Sequence, residues 1–307
     1  MGFDLYQWEG FWYYLPNLAG AIRSRSSFQA RDEDVILASS MKTGTTWLKA
    51  LIPCIMHPNV RSIGDGDGDG DGDGDDDDDS DPLLKNHPNA LIPSLEVHIF
   101  AENYTYNISA MPSPRLFRTH APCTMLPESI KTSGCKIVYI TRNPKDTFVS
   151  AWHFMNTKRM PGEGTFPIGE SFEKFCRGVH LYGPFHDHVL GYWKESMMRP
   201  EKILFLRYED VKRDTRGQVK KLASFLGRPF AKEEEVEKIV WMCSLERLKN
   251  LEVNRNGVDP FVGMLKSAYF RLGVVGDWKN SLSKEMEEQL DEITRQKMEG
   301  SGLDLLI

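Results

Sequence analysis

Met41-Lys42-Thr43-Gly44-Thr45-Thr46-Trp47 decides how this chain is read. It follows an apolar run, Asp34-Val-Ile-Leu-Ala-Ser-Ser40, and opens a helical pattern that runs from Thr45 to about His57. A strand, a tight turn and a helix start together present unpaired backbone N–H groups and a positive dipole end to an anion. Lys42 adds a full charge. Gly44 lets the backbone approach a ligand closely, and the hydroxyls of Thr43, Thr45 and Thr46 are expected to add donors. The pattern is a phosphate cradle, but not the G-x-x-x-x-G-K-[ST] loop of ordinary ATP and GTP enzymes. Here Lys precedes Gly, and no Gly stands at the front of the loop. The competing reading is a Thr-rich helix start with an incidental Lys.

Outward from this stretch the chain alternates. Strands are expected at Val35–Ser39, Arg115–Arg118, Lys136–Ile140 and Ile203–Arg207. Helical patterns cover Thr45–Met56, Asp146–Met155, Ser171–Gly178 and His186–Met198, then 217–227, 232–243, 244–250 and 284–298. Apolar strands without in-and-out alternation, separated by helices, imply a parallel sheet covered on both faces. The fold class expected is α/β, a central parallel sheet flanked by helices with a P-loop-like strand–loop–helix. A ligand then belongs at the carboxyl ends of the strands.

The 307 residues are 40% hydrophobic, enough for a sizeable core, and a single domain over 1–307 is expected. No run of eighteen apolar residues indicates a membrane span, and the first residues lack the pattern of a signal peptide. The five cysteines are scattered without a C-x-x-C pair, which fits reduced thiols and a cytoplasmic protein. The net charge of −6 misleads, because the Gly/Asp tract 64–81 holds eleven Asp and no cation. Without those eleven negative charges the remainder stands at +5, which suits an anionic cofactor and does not call for nucleic acid. The tract is expected to be a disordered surface insertion. It lacks the closing Glu of an EF-hand and the apolar repeat positions of other calcium loops.

Four further segments carry chemistry. Pro114-Arg-Leu-Phe-Arg-Thr-His120-Ala-Pro122 sets one His at a strand end, where imidazole can act as a general base near neutral pH. Alone, such a His is more often a structural hydrogen-bonder. Val138-Tyr-Ile-Thr-Arg142-Asn-Pro-Lys-Asp-Thr-Phe-Val-Ser150 is a second strand–turn–helix anion site, with Pro144 suited to the first helical turn. Phe205-Leu-Arg-Tyr208-Glu-Asp ends another strand, and Phe270-Arg271-Leu272-Gly273-Val-Val-Gly-Asp-Trp278 is a Gly-rich turn with one Arg. His186-x-His188 has no third ligand at suitable spacing, and no metal site is expected.

Taken together these segments resemble the cytosolic sulfotransferases over roughly 6–307, interrupted by the Gly/Asp tract. The resemblance implies that the Lys42–Trp47 loop holds the 5′-phosphosulfate of 3′-phosphoadenosine 5′-phosphosulfate (PAPS), the co-substrate. His120 would be the catalytic base, with Lys42 stabilising charge on the leaving phosphate. Arg142 and Ser150 would hold the 3′-phosphate, with Ser150 also restraining Lys42. Tyr208 would meet the adenine. Arg271, Leu272 and Gly273 stand where the family has Arg-Lys-Gly on the 3′-phosphate, so Leu272 removes a cation; Met41 replaces a Pro. Opening words such as Tyr6-Gln-Trp-Glu-Gly-Phe-Trp-Tyr13 look like the plant soluble branch, whose acceptors include flavonoids and steroids. Residues 11–14 line the acceptor pocket on one reading and plug the core on another. The partners expected are a small organic acceptor, with no nucleic acid and no membrane. A monomer or weak homodimer is expected, because the family's interface segment is altered around Lys279, Ser283, Lys284 and Glu288. Two alternatives stay open: a non-catalytic binder of PAPS or phosphoadenosine, and a nucleotide kinase-like enzyme.

Overall fold

A computed structural model describes residues 4–57, 81–102, 107–160 and 162–306. These group into two compact units. The first comprises Met1–Thr45, Pro93–Lys212 and Val274–Ile307; the second comprises Thr46–Ile92 and Arg213–Gly273.

The first unit is built on four parallel strands: β3 (Val35–Ser39), β4 (Leu116–Thr119), β5 (Lys136–Thr141) and β6 (Ile203–Arg207). Their order across the sheet is β4-β3-β5-β6. The expected strands fall where the apolar runs put them, with β4 displaced by one residue and β5 longer by one. Every residue of β3 is buried, which is why the strand reads as a continuous apolar run. Register is pinned at the amino ends: Val35 pairs with Leu116 and with Lys136. Just before those strands, Asp34 and Arg115 form a buried two-pronged ion pair, with Nε donating to Oδ1 at 2.8 Å and Nη2 meeting Oδ2. Asp34 Oδ2 also accepts the Arg31 N–H at 2.8 Å, so its charge is well bonded. Between sheet and helices lies a core of Ile36, Ala38, Phe117, Ile137, Tyr139 and Ile203, packed with Phe28, Leu95 and Tyr192. Full burial of each large apolar side chain there contributes about 1.5–3 kcal/mol.

An antiparallel hairpin, β1 (Leu5–Trp8) and β2 (Phe11–Tyr14), precedes helix α1 (Leu15–Ser27). Its turn is Glu9-Gly10, with φ of 47° and 83°, the left-handed pair that a two-residue hairpin turn needs. Neither hairpin nor α1 was expected from the sequence.

The second unit takes most of helix α2 (Thr45–Met56) and the helices Thr215–Phe225, Glu233–Met242 and Leu245–Asn250. A buried polar line runs through it. The Lys49 ammonium donates to Asn89 Oδ1, and Asn89 donates to Asp259 Oδ2 at 2.7 Å. Asp259 Oδ1 accepts the N–H groups of Phe261 and Val262. The Gly/Asp tract lies outside the described residues except for Asp81, and here the expected boundary needs correction. Asp81 is 8% exposed, caps Pro82–Lys85 by accepting the Leu83 N–H at 2.9 Å, and pairs with Arg247. A carboxylate at a helix start with a cation beside it is ordered by both.

Candidate active site

The four parallel strands deliver one chemical group each at their carboxyl ends. In sheet order these are His120 after β4, the Lys42 loop after β3, Arg142 after β5 and Tyr208 after β6. Adjacent strands lie about 4.8 Å apart, so the row spans roughly 15 Å. The chain passes from β3 outward to β4 and then back across to β5, so the topological switch falls between β3 and β5. That is where an open α/β sheet leaves a crevice for a ligand.

The cradle loop is tightly specified. Lys42 takes φ of 65° and Gly44 takes φ of 116°. A β-carbon on Gly44 would stand 2.9 Å from Ile140 Cδ1 and 2.9 Å from Tyr208 Cδ2, so backbone conformation and packing both demand glycine. The Thr43 hydroxyl lies 2.9 Å from the carbonyl oxygens of both Ser40 and Ile140, and its one proton is committed between them. Thr45 Oγ1 lies 2.7 Å from Ser39 Oγ. The expectation that three threonine hydroxyls donate to the ligand is therefore corrected for Thr43. Thr43 staples the loop to β5 and Thr45 ties the helix start to β3, because buried hydroxyls must find partners inside the fold. What Thr43 can offer an anion is its backbone N–H. The Lys42 ammonium stands 3.9 Å over the Phe154 ring, one helical turn beyond Ser150 on helix Pro144–Asn156.

Arg142 is held from three sides. Its Nη2 lies 3.2 Å from Asp146 Oδ2 and donates to the Val274 carbonyl at 2.6 Å, and its guanidinium lies 4.5 Å over the Tyr208 ring. Asp146 in turn accepts the N–H groups of Gly276 at 2.8 Å and Trp278 at 3.1 Å. It thus orders the Gly-rich turn and the arginine together. The Arg142 Nε is buried with no hydrogen-bond partner. A buried donor on a cation without an acceptor is costly unless a ligand supplies one. Burial raises the Tyr208 phenol, with Arg142 pulling the other way. Nearby, Glu209 accepts the Asn143 N–H at 2.9 Å, and burial raises its carboxyl.

His120 is half-buried and fixed at ring and main chain. Its Nδ1 lies 2.8 Å from the Ser39 carbonyl. A carbonyl only accepts, so the proton sits on Nδ1 and the basic lone pair on Nε2. The His120 N–H donates to Glu96 Oε1 at 2.7 Å, and its C=O accepts from His188 Nε2 at 3.0 Å. The neighbouring Ala121 C=O accepts the Tyr192 hydroxyl at 2.8 Å. The Tyr182 ring lies 5.4 Å from the imidazole.

Beside the cradle is a cavity of about 230 Å3 whose wall includes Trp12, Ser40, Met41, Met155, Phe175 and Leu181. Met41 and Leu181 also pack into the cluster that contains Tyr13 and Tyr182. Of residues 11–14, Trp12 lines this cavity, while Tyr13 is fully buried in the core.

The first unit thus contains Lys42–Thr45, His120, Arg142, Ser150 and Tyr208. Thr46, Trp47, Arg271, Leu272 and Gly273 lie in the second unit. Within that unit Leu272 is 47% exposed and Gly273 has φ of 62°. Sequence reasoning missed Glu96, Asp146 and His188. Asp146 lay inside a quoted motif, but nothing in the spacing ties Glu96 or His188 to His120. His186 and His188 serve different partners, His186 Nε2 meeting Thr294 Oγ1 at 3.0 Å. Among the described residues no cluster of potential metal ligands occurs.

Fold and site define an α/β protein that sets a lysine-bearing loop, a buried arginine and one oriented imidazole at the carboxyl ends of a single parallel sheet. The sulfotransferase domain matches residues 32–302. Among curated relatives, cytosolic sulfotransferase 5 of Arabidopsis thaliana is 41% identical, over 98% of this chain and 91% of its own length. Cytosolic sulfotransferase 12 of the same plant is also 41% identical, over 98% of this chain and 88% of its own. Among solved structures, an Arabidopsis thaliana protein provisionally described as a steroid sulphotransferase superposes with a TM-score of 0.73. It is 35% identical, and the match covers 98% of this chain and 88% of that one. A mouse sulfotransferase in complex with PAP gives 0.72 at 28% identity, covering 97% and 95%. The chain belongs to the sulfotransferase family, whose members are enzymes that transfer a sulfuryl group.

Proposed function

We propose that this protein moves the sulfuryl group from PAPS to a hydroxyl of a small organic acceptor, with His120 as general base. The observation that carries this reading is the row of groups along the sheet edge. An oriented base, a lysine-bearing anion loop, an arginine and a tyrosine ring follow one another over the topological switch. A single nucleotide cradle would need only the second of these.

The fit to PAPS rests on three features. The Lys42–Thr45 loop offers backbone N–H groups and an ammonium to one anion. Arg142, with an unpartnered buried Nε, answers a second anion. Tyr208, packed against Gly44 and under Arg142, offers a ring face to a base. When bound, PAPS supplies the sulfuryl group on a phosphate leaving group. The chain's own part is then clear. His120 Nε2 takes the acceptor proton, because the Ser39 carbonyl holds the other proton on Nδ1. Lys42 and the loop amides meet the charge that develops on the leaving phosphate, already in place before it appears. Wall residues such as Trp12, Met41 and Phe175 shelter the acceptor's apolar body. The relatives are named cytosolic, no helix among the described residues is long and apolar enough to cross a membrane, and a cytosolic location follows on this reading.

A screen of phenols, steroids and flavonoids with sulfur-labelled PAPS tests the proposal. Transfer of label to at least one hydroxyl compound is expected. Tight binding of PAP without transfer to any acceptor would favour a non-catalytic binder instead, and preference for ATP over PAPS would favour a kinase-like enzyme.

A further inference from the structure

Behind His120 the hydrogen bonds close into a ring. The Ser39 carbonyl accepts His120 Nδ1–H at 2.8 Å. The His120 carbonyl accepts from His188 Nε2 at 3.0 Å, which leaves the lone pair of His188 on Nδ1. That nitrogen takes the Tyr139 hydroxyl at 2.9 Å. Tyr139 stands on β5 in register with Ala38 of β3. Ala38 precedes Ser39 in the chain, so the ring closes through the sheet, just before the cradle loop. Ser39, Tyr139 and His188 are fully buried, and Ser40 is 1% exposed. Burial pushes the His188 imidazole down to about 4 and the Tyr139 phenol well above its ordinary value. Both are therefore neutral near pH 7, and each donor in the ring keeps its acceptor.

We propose that His188 and Tyr139 are positioning residues for the transfer step: they lock the main chain of His120 to the start of the phosphosulfate loop, so that base and cradle share one geometry. Neither residue touches the reacting atoms. Their effect is on alignment, where a displacement of about 1 Å costs on the order of 100-fold in rate. Supporting groups of this kind are the usual means of holding a reactive side chain in place. The proposal rests on the reading of His120 as base. A purely structural alternative exists, because Tyr139 stacks on Tyr192 at 4.2 Å and His188 fills the space beside it. That alternative predicts lost stability with unchanged turnover per folded molecule.

The test uses the full chain with His188→Leu, His188→Gln, Tyr139→Phe and His120→Ala. Turnover of 4-nitrophenol with PAPS and PAP affinity by calorimetry are measured on each, and imidazole 15N shifts of His120 on the three variants that keep it. His188→Leu is expected to lower kcat by about 30-fold with PAP affinity within about twofold, and to mix the His120 tautomers. His188→Gln, whose amide can still donate to the His120 carbonyl, should recover most of that loss. Tyr139→Phe should lower kcat by about threefold to tenfold without changing the acceptor KM. Wild-type kcat and an unmixed Nδ1–H tautomer in folded His188→Gln and Tyr139→Phe, with His188→Leu merely less stable, would overturn the proposal while leaving His120 as the base. Retained turnover in His120→Ala would instead overturn the base itself. If His188→Leu fails to fold, the two milder variants decide, and the 15N shifts report even where 4-nitrophenol is a poor acceptor.

Discussion

Gly44 shows how narrowly single residues are specified at this site. Its φ of 116° and the 2.9 Å approach of Ile140 and Tyr208 leave no room for a side chain. Gly44→Ala should cost about 1–3 kcal/mol of stability from backbone strain alone. It should also weaken PAP binding, because the loop N–H groups move with the backbone; thermal unfolding and calorimetry on the variant check both, and an unchanged PAP affinity would show that the loop amides are not the contact. Leu272 is the opposite case, an exposed apolar residue beside Arg271 where the resemblance to the sulfotransferases implies a Lys. Leu272→Lys should leave stability unchanged and tighten PAPS more than adenosine 5′-phosphosulfate, which lacks the 3′-phosphate. A well-placed charged hydrogen bond gives about 1.5–3 kcal/mol, less where water screens it. Equal effects on both ligands would assign position 272 a backbone role. At this scale the sequence was legible where one residue type has one use: Lys42, Gly44, His120 and Arg142 stand out by type and spacing. It was illegible where a side chain has several. Thr43 reads as a ligand donor, yet its hydroxyl proton is taken up by the Ser40 and Ile140 carbonyls, and only coordinates reveal that competition.

The strands and the loops that follow them are the functional elements. Their positions could be read because burial on both faces leaves an uninterrupted apolar run, and few other arrangements of short strands produce that pattern. The Leu5–Trp8 and Phe11–Tyr14 hairpin could not. Phe11–Tyr14 is aromatic on both faces, which blurs the period of two there, and Glu is an unusual residue for the left-handed first turn position that Asn or Asp normally fills. Glu96 sits in a short π-helical segment, Leu95–Ile99, far in sequence from the histidine it holds. At the other end of the sheet, the Asp34–Arg115 pair sets the register of β3 against β4. Asp34→Ala leaves a buried guanidinium without its partner and should cost about 3–5 kcal/mol. Because it acts at the amino ends of the strands, PAP affinity of the folded variant should stay near that of the parent. A chemical-denaturation curve and a calorimetric titration separate the two effects; a large loss of PAP affinity at unchanged stability would contradict this division of labour.

At the scale of the whole molecule, His87, His180, His186 and His188 shape the response to acid. Burial lowers His87, His180, His186 and His188 to about 4 from 6.5. Between those values the unfolded chain binds protons that the native state refuses, so stability falls as the pH falls. What these residues contribute is present in full above pH 6.5 and is lost by about 4. Urea midpoints should therefore decline steadily from pH 7 to 5, before most carboxylates titrate; a flat profile would show that these histidines are not held neutral. The central claim concerns one proton at one atom, and one paired measurement on His120→Ala tests it most directly. Label transfer from PAPS to an acceptor found in the screen is followed beside calorimetric binding of PAP. A base that acts only in the transition state is expected to give loss of turnover by several hundred-fold or more, on the order of the 10²–10⁴ that general bases contribute, with PAP affinity within about twofold of the parent. Turnover near that of the parent, or turnover and PAP affinity falling together by the same factor, would contradict the assignment of His120 as the base.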